Sequence, residues 1–176
     1  MGGDHDSDFQ LLMTFDGATT DDRSLAIVFT SYAEKYLATV IQHRMKGLTT
    51  KLREKLFKPD GLLGPLQAKI DVAMALNLLE PAMFDDLKAM ASIRNQFAHN
   101  LEITSFDHPE IRERVAKLKL TPEACPEQIA PPEAWLDRDW SNRNRFRLSA
   151  RAICASLHWG AGGIARLRDH RPVECR

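Results

Sequence analysis

The chain has 176 residues, a formal net charge of zero, 44% hydrophobic and 27% charged residues. That is the composition of a soluble globular protein, one domain by length and large enough to bury a core without covalent staples. No apolar run approaches the roughly 18 residues that cross a bilayer, which excludes a membrane helix, and three cysteines without metal spacing exclude a disulfide framework or a zinc knuckle.

The charge is unevenly spread. Residues 1–22 hold six Asp and no Lys or Arg, whereas residues 141–176 hold eight Arg against Asp169 and Glu174. Opposite ends of this kind imply attraction within the chain or between subunits, or a basic face for an anionic partner, with simply solvated ends as the plain alternative. Residues 1–20 lack the basic start and apolar run of a signal peptide, so free thiols in a reducing cytoplasm are expected.

In chain order, residues 1–20 read as a mobile acidic tail around one apolar patch, Phe9 to Met13. "TTDDRS" supplies N-cap chemistry with acids in the first turn. Leu25, Val28, Phe29, Tyr32, Tyr36, Val40 and Ile41 then recur at three- and four-residue steps, a helix over about 22–46 ended by Gly47. "TTKLREKLF" is a short helix, and "KPDGLLGP" breaks the chain. Pro65 opens a helix, "LQAKIDVAMALNLL", apolar nearly all round and therefore central. "LEPAMF" turns the chain into a helix over about 82–99, with Leu87, Met90, Ala91, Phe97 and Ala98 inward. Residues 109–119 form another helix, and a Pro-rich loop follows at about 120–134. Asp139 or Ser141 caps a last helix over about 141–158, with Phe146, Ala150, Ile153 and Leu157 on one side and "GAGG" interrupting it. No period-2 run long enough for a sheet appears. The expected fold is all-α, a single-domain bundle of five to seven helices over residues 21–176.

The chemistry-bearing stretch is "SIRNQFAHN", residues 92–100. At about 100° per residue, Ser92, Asn95 and His99 share one side of a helix, while Arg94 projects from the line of Leu87, Met90, Ala91 and Ala98. An arginine on an apolar stripe needs a partner or an edge. One reading makes this the ordinary end of a core helix, with Arg94 paired to Asp22 or Asp71. The other makes it a metal-free ribonuclease site. There Arg94 steadies a phosphate, Asn95 orients the imidazole, and His99 takes the proton of a ribose 2′-OH. One histidine does not serve easily as both base and acid, so that site needs a second copy across a two-fold axis.

Two resemblances run through these residues. "DDRSLAIVFTSYAEKYLATVI" and "GLLGPLQAKIDVAMALNLLEPAMFDDLKAMASIRNQFAHN" resemble the bacterial mannitol operon repressor family over about residues 21–105. The shared features are the acidic-Arg helix start, the Gly64-Pro65-Leu66 turn, Lys69 in an apolar helix, the Leu78-Leu79 turn, and a helix ending in Arg and His. Where the family commonly has Gly in an "ALGL" turn, this chain has Asn77. The resemblance implies a helical transcription regulator that works through a protein partner, because no helix-turn-helix is readable. The spacing from Arg94 to His99 also resembles the HEPN superfamily, whose ribonucleases carry Arg, a polar residue, three more and His. That implies the alternative, a toxin-like endoribonuclease acting on RNA with Arg94, Asn95 and His99.

Arg143, Arg145, Arg147 and Arg151 form a second candidate site, a strip for an anionic partner, with a solvated helix start as the plainer account. His5, His43, His108, His158 and His170 show no metal-ligand spacing, and neither a metal nor a cofactor is expected. Tyr32, Tyr36 and Arg94 give semi-polar surface suited to a homodimer. Neutral overall charge and the missing recognition helix imply that the isolated chain does not bind DNA sequence-specifically.

Overall fold

The computed structural model describes Ser7, Leu11, Leu12, residues 20–120 and residues 141–163, the last four without their side chains. Most of the expected acidic tail, the Pro-rich loop, Cys125, Cys175 and the Arg-rich end lie outside the described residues. Among the described residues the architecture is all-α, with six helices and no strand: α1 Asp22–Arg44, α2 Thr50–Phe57, α3 Leu66–Ala75, α4 Pro81–His99, α5 Pro109–Val115 and α6 Asn142–Gly163.

Helix α1 begins where the sequence asks it to. Asp21 is its N-cap and accepts from the Ser24 N–H at 2.9 Å, a bond that also holds the Asp21 carboxyl below its ordinary range. Its stripe Leu25, Phe29, Ala33, Tyr36, Leu37, Val40 and Ile41 is buried and packs against α3, α4 and α6. The expected stop at Gly47 is corrected. The helix ends at Arg44, and Met45 closes it by donating its N–H to the Ile41 carbonyl, with no left-handed glycine involved.

The expected central position of "LQAKIDVAMALNLL" is also corrected. Helix α3 spans only ten residues and buries Lys69, Ile70 and Ala73, one narrow face turned toward α1 and α4. The central helices are α1 and α4, the latter touching α1, α3, α5 and α6. Apolar residues all round α3 did not imply burial all round, because a short helix at the edge of a bundle has few neighbours to cover it. Lys69 is 5% exposed, and its ammonium reaches the Glu34 carboxylate of α1 at 2.6 Å and the Gly64 carbonyl. The lysine thus ties α3, α1 and the Gly64-Pro65-Leu66 turn together, which satisfies a charge otherwise costly to bury.

The turn between α3 and α4 explains Asn77. Leu78 N–H bonds to the Ala73 carbonyl at 2.9 Å and Asn77 N–H to the Met74 carbonyl at 3.0 Å. These are the two bonds of a Schellman cap, and the residue at its hinge must take a left-handed backbone. Asn77 does so at φ 54, the single described non-glycine with positive φ. Asparagine is the side chain best able to stand where glycine is commonest. Pro81 then sits at the first turn of α4.

Along α4, Asp86 falls in step with Met90, Ile93 and Phe97 and is fully buried. Its two carboxylate oxygens accept the backbone N–H groups of Lys119 and Leu120, each at 2.8 Å, closing the chain after α5 onto α4. Burial raises its pKa despite those two bonds. The native carboxyl therefore regains its proton at higher pH than the unfolded one, and acidification through that window relieves the burial penalty. Helix α6 runs unbroken through "GAGG" to Gly163, so the expected interruption is corrected as well. Its inward residues Phe146, Ala150, Ile153 and Leu157 are buried as the spacing requires. Phe97, Phe106 and Phe146 pack in series, the first pair edge-to-face and the second tilted, centroids 5.1 and 4.8 Å apart, joining α4, the loop after it and α6. Leu12 adds one buried side chain from the N-terminal stretch.

The Asn77 hinge gives a direct test. Asn77→Ala destabilises by about 1 kcal/mol, because alanine has no compensation for the left-handed backbone, whereas Asn77→Gly changes stability by less than that. Urea unfolding midpoints of the three proteins check the order.

Candidate functional site

The end of α4 that carries Arg94, Asn95 and His99 is held by the first turn of α1. Arg23 reaches across to the Phe97 carbonyl and to those of Asn100, Leu101 and Ile103 at 3.3, 3.4 and 3.0 Å. A guanidinium over the last carbonyls of a helix satisfies acceptors that have no partner inside it and favours the negative end of its dipole. Asp22 completes the junction. Its carboxylate accepts the Phe106 N–H at 2.7 Å and pairs with Arg143 at the start of α6. Arg143 also donates to the Thr20 carbonyl, and Asn142 bonds Asp107 at 2.8 Å. The acidic-Arg start of α1 is therefore a staple joining three chain segments, a role its local sequence does not announce.

On this support Asn95 and His99 are exposed and Arg94 is half-buried. The Arg94 guanidinium donates to Asn95 Oδ1 at 3.1 Å. The structure brings those two together, but among the described residues no hydrogen bond joins either of them to His99. Five helical steps turn His99 about 140° from Arg94. The pairing expected for Arg94 with Asp22 or Asp71 is corrected: Asp22 is taken by Arg143, and Asp71 by Lys88 at 3.2 Å. Both acids stand beside cations closer in space than Arg94, a fact invisible to sequence spacing. Ser92, on the same helix, accepts from Arg114 Nε of α5 at 3.0 Å and so belongs to a packing contact.

The Arg143–Arg151 strip divides in a similar way. Arg143 is engaged with Asp22 and Thr20, while Arg145, Arg147 and Arg151 are half-buried along α6. The expected attraction between acidic and basic ends is realised in one place by the Asp22–Arg143 pair. Of the residues expected at a dimer face, Tyr36 is 1% exposed and packs edge-on against His158 at 5.4 Å, so it belongs to the core. Tyr32 is half-buried beside it, ring centroids 6.1 Å apart. Cys154 is buried with its Sγ 3.9 Å from the Phe29 carbonyl, and burial pushes its thiol pKa far up, which makes it unreactive. Among the described residues no three His, Cys, Asp or Glu side chains cluster as metal ligands, and no helix is long and apolar enough to cross a membrane.

Sequence reasoning missed Arg23 and Asp86. The signal for Asp86 was present, since it keeps register with the buried stripe of α4. Arg23 left none beyond its place after two acids.

No family model matches the sequence, and no curated protein does. The fold is similar to a chain in the X-ray structure of the MtlR–HPr complex from Escherichia coli, with a TM-score of 0.56 and 17% identity. The match covers 92% of this chain and 98% of that one. The likeness is therefore one of whole architecture, that of an MtlR-like all-helical protein.

Two outcomes follow from this geometry. Arg23→Gln removes the charged donor from the end of α4; it lowers stability by about 1.5–3 kcal/mol and speeds amide exchange across residues 97–106, measured by urea unfolding and hydrogen exchange. Wild type, Arg94→Ala and His99→Ala leave a mixed RNA equally intact without added metal. An active wild type that falls about a hundred- to ten-thousand-fold in both variants restores the ribonuclease reading.

Proposed function

We propose that this protein is a regulator that works by binding another protein, on a scaffold of the MtlR kind. The observation that carries the reading is the fold itself, shared over nearly the full length of both chains with a protein captured in complex with HPr. The local chemistry agrees with it. Arg94 and His99 point to different sides of α4, the metal-ligating residue types are dispersed among the described residues, and Arg143 is used internally.

The same reading has the protein influence transcription indirectly. Among the described residues the one short turn that joins two packed helices in sequence is that between α3 and α4. Its second helix is packed against α1, α3, α5 and α6, and the strip it leaves open begins with Pro81 and Asp85 rather than with the polar and basic residues a recognition helix brings to a DNA groove. A partner-binding regulator needs surface patches rather than a catalytic cleft, and the partner proposed here is a protein of the HPr type.

Calorimetric titration of the full chain with E. coli HPr tests this, together with affinity capture from the source cells followed by titration of the protein recovered. A saturable complex of defined stoichiometry is expected, with no salt-resistant, sequence-selective shift of duplex DNA. Failure of HPr and of every captured protein to give saturable binding, or tight binding to one operator by the isolated chain, overturns the reading.

A further inference from the structure

Helix α2 and its approaches differ from the rest of the molecule. Residues 44–58 hold six cations, Arg44, Lys46, Lys51, Arg53, Lys55 and Lys58, against one acid, Glu54, in a chain of zero net charge. All six cations are exposed. Among the described residues Lys58 has an acid in reach, Asp60 at 2.9 Å, and the other five make no ion pair. No residue of α2 is buried; Leu56 and Phe57 alone rest their inner sides on the core.

The helical geometry sorts these charges. With Leu56 and Phe57 turned inward, Lys51, Lys55 and Lys58 stand at i, i+4 and i+7 on the opposite, outward side. Like charges at such spacings repel and weaken an isolated helix. Lys51 also lies in the first turn, where the dipole disfavours a cation. The helix is nonetheless held firmly from behind. Leu63 N–H returns to the Leu56 carbonyl at 2.8 Å, and the loop closes so tightly that a Cβ at Gly61 would lie 2.5 Å from that same oxygen. A Cβ at Gly64 would lie 2.3 Å from the Pro59 carbonyl. Beside the lysines stand two unusually bare apolar residues, Leu52 at 41% and Leu62 at 78% exposed.

We infer that the outward face of α2 is a docking surface for an acidic protein segment, whose carboxylates meet Lys51, Lys55 and Lys58 while its apolar residues cover Leu52 and Leu62. The complementarity is one of charge and spacing. The three lysines follow one another at four- and three-residue steps, about 6 and 4.5 Å of helix rise, the steps at which carboxylates recur on one side of a partner helix. Leu52, on the flank of the stripe, and Leu62, in the loop beyond the helix, add exposed apolar surface at the edge of the charged face. An anionic membrane is the poorer occupant, because an interfacial helix inserts its apolar face and α2 turns that face to its own core. Nucleic acid is poorer too, since the stripe offers point charges and aliphatic side chains where base recognition uses aromatic stacking and bidentate arginine. This inference rests on the partner-binding reading and adds where the partner sits and what chemistry it brings.

The test uses the full chain, wild type and the triple variant Lys51→Gln, Lys55→Gln, Lys58→Gln, with Lys51→Arg, Lys55→Arg, Lys58→Arg as the charge-keeping control. All three positions are exposed, so circular dichroism and urea unfolding are expected to be unchanged. The probe is a labelled helical peptide carrying Glu at i, i+4 and i+7 with interleaved Leu, followed by anisotropy. Phosphatidylglycerol vesicles and a single-stranded RNA are titrated in parallel. Wild type and the Arg variant bind the peptide in a salt-sensitive manner, and the Gln variant binds about tenfold more weakly. Equal binding by wild type and the Gln variant overturns the inference, as does lysine-dependent binding of vesicles or RNA in place of the peptide. A partner protein, HPr included, that binds wild type and the Gln variant equally removes α2 as the site and leaves the partner reading standing. If no protein partner is found at all, the reading beneath it falls.

Discussion

The junction made by Asp22 and Arg23 is the constraint on which the described structure turns. Two adjacent residues in the first turn of α1 face different ways. Arg23 gathers the carbonyl ends of α4 and its following loop, and Asp22 gathers the Phe106 amide and the Arg143 guanidinium of α6. Each bond joins segments more than seventy residues apart in sequence. Beside it lie Phe97, Phe106 and Phe146, whose ring contacts need those same three segments brought together. The polar staple and the aromatic series therefore reinforce each other: one specifies the arrangement, the other buries three large rings at the same junction.

Among the described residues the two buried charged side chains obey the same logic. Lys69 and Asp86 both sit on stripes that are otherwise apolar, and each is tied to a segment of chain rather than left as an isolated charge. Lys69 holds the turn before α3 and reaches α1; Asp86 holds the two amides that follow α5. A buried charge adds little net stability, but one with its hydrogen bonds made rejects arrangements that leave it unpaired. In a bundle of short helices, whose apolar faces are interchangeable, such polar pins select one packing among several.

This view changes what the cluster at the end of α4 means. Arg94, Asn95 and His99 stand on a helix end that the staple holds in place, yet the geometry joins Arg94 to Asn95 and leaves His99 on another side. The surface with an unbalanced chemical character lies elsewhere, on α2, where a rigid turn displays lysines with few acids nearby. A regulator that works through a partner has use for a firmly held, charged and partly apolar face.

Helix content and the inward stripes of α1, α4 and α6 were legible in the sequence, because period and capping are local properties: Asp21 caps α1 as its residue type and place require, and Phe146, Ala150, Ile153 and Leu157 are buried as their spacing requires. The oddity of Asn77 was also legible, and its reason appeared once the backbone showed a left-handed hinge. What the sequence did not reveal is which elements are central and which charges meet. The burial of α3 on one narrow face depends on how many helices surround it, and the partner of Arg94 depends on which cations already occupy Asp22 and Asp71. Arg23 resembles any surface arginine until the end of α4 arrives beside it. Local periodicity is encoded within a few residues, whereas ion pairing and burial are settled by competition among segments distant in sequence, and that competition is decided only when they pack.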